Sequence, residues 1–290
     1  SLWICPSMTT TVFLAVLAAA ALHAGWNAMI KVRLEPLLAI TLISIGCGVV
    51  SAPLLPFVGM PETDAWPYIG ASLAIHLVYY GALGEAYRTG DLGQIYPIAR
   101  GSAPLMTAVG ATFLLDEHLG PLGSLGIVVL ASGIIMLSLK GGRDVGTFEF
   151  RAIGFALLTA ASIALYTLVD GVGGRIGASP MPYIVWLVFL DGVMMLIFGL
   201  VKYPREMRSV PPRTALLLLA GGAMSATAYA IAIWAMAQAP IALVAALRET
   251  SVLFAALIGI VILREPVLPL RIVAALVVVT GIVLVRLRAF

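Results

Sequence analysis

Charge is what this sequence lacks. Only 11% of its 290 residues are Asp, Glu, Lys or Arg, where a soluble domain carries about 25%. With 61% hydrophobic residues, a water-soluble fold would have too little polar surface to cover its interior. The same proportions exclude intrinsic disorder. Cysteine and histidine are also scarce. Cys5 and Cys47 form no disulfide framework, and His23, His76 and His118 share no metal-ligand spacing. There is no Walker A loop, no GxSxG, no HExxH and no CxxC, so neither ATP drive nor a familiar hydrolase centre is written here. No cofactor and no metal are expected. No connection is long enough for a soluble catalytic domain, so any function must lie among the apolar segments.

Those segments are long and continuous, and the mean hydropathy is +1.08. A membrane β-barrel would show short alternating stretches instead. A helical span needs about 20 apolar residues. Ten such runs are read at roughly 9–31, 37–57, 66–87, 92–115, 121–139, 152–172, 181–201, 214–237, 241–263 and 268–287. The expected fold class is therefore all-α, a polytopic membrane protein. Ser1–Ser7 carry no basic stretch, so no cleaved signal peptide is read there.

The net charge of +3 and the pI near 9.0 do not point to nucleic acid, because the basic residues stand singly or in small loop groups. Twelve of the 17 Lys and Arg fall in the loops after spans 1, 3, 5, 7 and 9, from Lys31 to Arg271. Arg175, Arg286 and Arg288 lie on the other side, and Arg100 and Arg248 lie inside spans. The positive-inside rule then predicts odd-numbered loops in the cytoplasm and both termini outside.

The two halves match each other. At a constant offset of 148, Arg100 falls on Arg248, Glu117 on Glu265, Pro121 on Pro269 and Gly133 on Gly281. Between 100 and 139 there are eleven identities in forty positions. A weaker match places Trp26 on Tyr166. This divides the chain into a tail (1–8), a first five-helix repeat (9–141) and a second (148–290). An odd number of spans per repeat makes the second copy enter the membrane upside down. Inverted repeats suit transport, because two similar halves can exchange shapes and open the centre to either side.

The stretch 90–139 has Pro104 inside a helix, Glu117 at its end and Gly133 in the closing helix. It resembles the fourth and fifth helices of an EamA-type domain, of the drug/metabolite transporter superfamily. The stretch 246–287 repeats Glu265, Pro266 and Gly281, with Val252 in place of the mid-helix proline. The combination of His76, Tyr79 and Tyr96 resembles the aromatic amino acid exporter branch. The resemblance implies a transporter in a bacterial inner membrane, with amino acids, drugs or other metabolites as its class of substrate.

Polar groups inside spans are expensive and face the bundle interior. Arg100 lies one turn after Tyr96 and so shares its helix face. It can meet a substrate carboxylate, or pair with a buried acid such as Glu85 or Glu249. Pro97 and Gly101 mark that helix for irregularity. His76, Tyr79 and Tyr80 share a face of span 3, with tyrosines mid-span where an interface belt would not put them. A tight turn near Gly90–Asp91 makes spans 3 and 4 expected neighbours, with Tyr79 and Arg100 at similar depth. Trp26, Tyr166, Trp186, Tyr229 and Arg248 complete the candidate substrate-binding set. Glu85, Asp191 and Glu249 are candidate proton or charge sites. Glu117 and Glu265 read as local caps or pairs at repeat ends.

Two classes of function follow. The first is a secondary transporter exporting small amphiphilic metabolites, aromatic or large neutral amino acids foremost, through a central cavity in the lipid bilayer; a monomer suffices for one pathway. The second is an intramembrane enzyme, which needs a His–acid dyad at one depth. His76 and Glu85 are nine residues apart, about 13 Å along a helix, and cannot form one.

Overall fold

The computed structural model describes residues 8–29, 35–89, 92–138, 150–261 and 269–288. The apolar runs fold as helices, and no strand occurs among the described residues. In the first half these are α1 (Thr10–Met29), α2 (Pro36–Ser51), a 3₁₀ turn at Ala52–Leu54, α3 (Leu55–Val58), α4 (Trp66–Thr89), α5 (Leu92–Leu115) and α6 (Gly120–Ser138). In the second half they are α7 (Phe150–Gly173), α8 (Met181–Lys202), α9 (Pro204–Arg208), α10 (Pro212–Met236), α11 (Ile241–Arg248), α12 (Ser251–Val261) and α13 (Pro269–Arg288). Pro36, Pro204, Pro212 and Pro269 open their helices, at the position where a missing N–H loses no intrahelical bond. Large side chains such as Phe113 and Phe150 stand 82% and 88% exposed, as a lipid-facing surface requires.

Among the described residues, nine helical stretches are long and apolar enough to cross a membrane. The tenth run of the sequence reading is α4, a 24-residue helix. Its length suffices, but His76, Tyr79, Tyr80 and Glu85 lower its hydropathy below that of the others.

The ends of the bundle differ. Arg286 donates to the Met8 carbonyl and to Thr10 Oγ1, both at 2.7 Å, so the first and last helices meet at one end. Met8, Val12, Ala65, Leu119, Tyr183, Ala239 and Val285 belong to one buried cluster there. We call this the terminal end. Exposed Arg88, Arg151, Lys202, Arg205, Arg208 and Arg213 gather at the opposite end. Lys31, Arg33, Lys140, Arg143, Arg264 and Glu265, read from the sequence as loop or repeat-end residues, lie outside the described residues.

Several helix pairings have a counterpart in the other half. α1 packs on α10 and α4 on α7; α5 packs on α7 and α1 on α11 and α12; α2 pairs with α8 and α6 with α13. α1 begins at the terminal end whereas α7 finishes there, so these two matched helices run in opposite directions. Small residues bring α2 onto α8 and α6 onto α13. A Cβ on Gly48 would stand 2.9 Å from the Gly192 Cα, and one on Gly281 would stand 2.6 Å from the Leu130 backbone nitrogen. Backbone cannot retreat as a flexible side chain can. Gly281→Leu is therefore expected to destabilise the fold by about 2 kcal/mol, typical of overpacking, as a drop in the thermal unfolding midpoint in detergent; an unchanged midpoint contradicts this packing.

Two local expectations are corrected. α5 runs unbroken through Pro97 and Gly101; the interruption lies in the second copy, between α11 and α12, where no proline stands. There the Thr250 hydroxyl bonds the Leu247 carbonyl at 2.6 Å. The ladder tightens to i→i+3 bonds at Glu249, Thr250, Val252 and Leu253, the geometry of a 3₁₀ turn. Secondly, α4 and α5 are poor neighbours despite their tight connection. Both pack chiefly on α7, whose small Ala156 and Ala160 let them approach.

Candidate functional site

A cavity of about 320 Å³ lies in the middle of the bundle. Its lining runs from Asn27 and Pro36, at the end away from the termini, to Leu187, Tyr166 and Arg248. Of the predicted set, Trp26, His76, Tyr79, Tyr80, Arg100, Tyr166, Tyr229, Arg248 and Asp191 line it. The Tyr96 side chain lies outside the described residues. Trp186 does not reach the cavity; its indole N–H donates to the Gly59 carbonyl at 2.8 Å and its ring meets Trp66, at the terminal end. Glu85 pairs with Arg88 at 2.9 Å on an exposed face, because its helix has passed beyond the cavity by that turn.

The walls are aromatic. His76 Nδ1 faces the Ser72 carbonyl at 2.8 Å. A carbonyl only accepts, so Nδ1 carries the proton. The imidazole stacks on Tyr166, with ring centroids 4.3 Å apart and planes at 21°. Tyr79, Tyr80 and Tyr229 surround it at 6.3, 6.0 and 6.1 Å. Such rings give an apolar surface with hydroxyl handles. The Tyr80 hydroxyl lies 3.0 Å from Asp191 Oδ2 and 3.1 Å from Ser44 Oγ. An ionised Asp191 accepts from Tyr80, which then accepts from Ser44.

The two intramembrane arginines have different surroundings. Arg100 Nε stands 3.1 Å from Glu249 Oε2, and one terminal nitrogen reaches His23 Nε2 at 3.0 Å and Ser251 Oγ at 3.1 Å. Arg donates only, so His23 accepts at Nε2, while the Trp26 indole N–H points at its Nδ1 at 3.3 Å. Of the two readings of Arg100, the structure has the pair with Glu249. Glu249 does not line the cavity; it is buried behind it. Arg248 donates towards the Tyr166 hydroxyl at 3.5 Å and lies over the Tyr229 ring, 5.7 Å from its centroid.

Above the cavity the bundle is closed. Asp170 is fully buried and accepts from Tyr183 at 2.8 Å and from Tyr229. That bond fixes the Tyr229 ring against Arg248. Tyr183, Ile184, Leu187, Ile233, Met236 and Ile241 fill the space towards the terminal end. Glu117 is no local cap. Its carboxylate takes Arg175 at 2.8 Å and the Ile241 N–H at 2.9 Å, joining the connections α5–α6, α7–α8 and α10–α11. Arg175 also donates to the carbonyls of Met236 and Ala239.

Sequence reasoning left Ser44, Cys47, Thr159 and Ser225 out of the lining. Small hydroxyls and thiols in apolar runs carry no pattern that sets them apart. His23 and Asp170 are polar residues inside apolar runs, and nothing local in the sequence indicates their partners.

Fold and site thus define an all-α polytopic membrane protein with a polar-aromatic cavity at its centre. Residues 150–287 match the EamA-like transporter family. The crystal structure of another protein shares the fold, with a TM-score of 0.74 and 18% identity over 98% of each chain. No curated protein matches the sequence.

Proposed function

We propose that the chain is a secondary transporter that carries small amphiphilic metabolites outward by alternating access, with aromatic or large neutral amino acids as its substrates. The cavity carries this reading. It is walled by Tyr79, Tyr166, Tyr229 and Trp26 for an apolar side chain, holds cationic and acidic groups for the charged ends, and stops below a plug of packed side chains. The family match over the second half supports transport. The first half, at the 148-residue offset, is the inverted copy, so that exchange of shapes between halves moves the opening from one end to the other. Orientation follows the Lys and Arg bias, with the described basic loops in the cytoplasm and the cavity open inward. Asp191, with Tyr80 behind it, is the acid for a substrate ammonium or a coupling proton.

The test is uptake of radiolabelled L-phenylalanine and L-leucine into liposomes holding the purified chain. Tyr79→Ala and Tyr166→Ala should each lower transport about tenfold, the effect of losing an aromatic contact worth ~1–1.5 kcal/mol, while the protein inserts normally. Full transport by both variants would move the pathway away from this cavity. Absence of uptake of either amino acid by the unaltered protein would remove the substrate class.

A further inference from the structure

We infer that Arg248, and not Arg100, receives the anionic group of the transported molecule; this rests on the transporter reading above. Both guanidinium groups sit in the bundle and both line the cavity, at 8% and 9% exposure. A buried cation without a counter-charge is strongly unfavourable, so each needs a partner. Arg100 has one in Glu249, and His23 and Ser251 take further N–H groups. Among the described residues, the contacts of Arg248 are a long bond to the Tyr166 hydroxyl and the face of Tyr229. Neither brings a formal negative charge. Position at the C-terminus of α11 adds a partial one from the helix carbonyls.

The repeat explains the difference. Arg100 is held by residues of the second copy and of α1. Exchange of the halves shows what Arg248 would meet in return. The counterpart of Glu249 at the 148-residue offset is Gly101, and that of Ser251 is Ala103. The weaker match that sets Trp26 on Tyr166 sets His23 on Ile163. Acid, hydroxyl and imidazole are replaced by glycine, alanine and isoleucine. One arginine of the pair makes an ion-pair contact with Glu249; among the described residues its twin makes none and feels that same shared carboxylate only at longer range, so the two arginines and one acid leave a net positive charge beside the stacked His76 and Tyr166 rings. A carboxylate fits that fork in two parallel bonds, with an aryl group lying on the rings.

The experiment measures equilibrium binding of 3-phenylpropionate and its neutral amide to the purified full chain in detergent, with L-phenylalanine and its amide alongside. The unaltered protein should bind each acid at least about 30-fold more tightly than its amide, the effect of a buried charge pair. Arg248→Gln should abolish that preference, and Arg248→Lys should keep the preference with weaker binding of the acid. The double variant Arg100→Gln with Glu249→Gln should keep the preference, since it removes a neutral pair. Equal binding of acid and amide, no binding of either acid, or a preference that survives Arg248→Gln or vanishes in the double variant, overturns the inference. If 3-phenylpropionate binds through Arg248 but L-phenylalanine neither binds nor crosses liposomes, the inference stands and the amino acid reading falls.

Discussion

Glu249→Ala is expected to lower the stability of the protein by about 3–5 kcal/mol, the consequence of stranding one member of a buried ion pair. The side chains of Arg100 and Glu249 are 11% and 3% exposed and 3.1 Å apart, so solvent screens them little. Removing the acid leaves Arg100 with His23 and Ser251, which donate or accept hydrogen bonds but bring no charge. Arg100→Ala should be nearly as damaging, because it leaves the carboxylate. Replacing both by methionine should restore most of the loss, since the pair as a whole contributes little beyond neutralising itself. A double-mutant cycle read by thermal unfolding in detergent checks this. Additive losses would mean that the two residues are not a pair, and the assignment of Arg248 would lose its contrast.

That pairing also marks how far the sequence could be read. The helices were legible because lipid forces every backbone group to bond within its own segment. Apolar runs therefore map almost directly onto elements, as α5 and α8 do at Leu92–Leu115 and Met181–Lys202. The face of α4 was legible from spacing alone: His76, Tyr79 and Tyr80 meet at the cavity. Contacts between distant segments were not. Tyr80 and Asp191 are 111 residues apart, and Glu117 and Ile241 are 124 apart; no periodicity encodes which helix faces which. Chain order misled for the same reason, since α7 rather than the adjacent α5 is the chief partner of α4. Proline misled as well, because Pro97 sits in a continuous helix while Thr250 marks the break. The repeat, by contrast, held a signal that local reading passes over. Arg100 and Arg248 are alike, but Glu249 and its counterpart Gly101 are not.

Glu117→Ala should open the terminal end. In the state described here that end is held by a plug of apolar side chains and by one carboxylate that binds Arg175 and the first N–H of α11. Apolar packing has no strong preference between two similar arrangements of two similar halves. A buried charge pair does, because it exists in one arrangement and must be hydrated or re-paired in the other. Without Glu117, Arg175 loses its contact with that carboxylate and keeps the Met236 and Ala239 carbonyls, which bring no charge, and the N-terminus of α11 loses its acceptor. The closed state should lose about 3 kcal/mol relative to the open one, a shift of roughly a hundredfold in their ratio. Ala239 is fully buried beside this pair. An Ala239→Cys reporter should therefore resist a water-soluble maleimide in the otherwise unaltered chain and react about a hundredfold faster with Glu117→Ala present. Glu117→Gln, which keeps the hydrogen bonds without the charge, should fall between. In whole cells the reagent should reach this cysteine from outside, as the distribution of Lys and Arg requires. A reporter that stays protected while the unfolding midpoint drops would mean that the pair secures the fold in both states and does not set which end is closed.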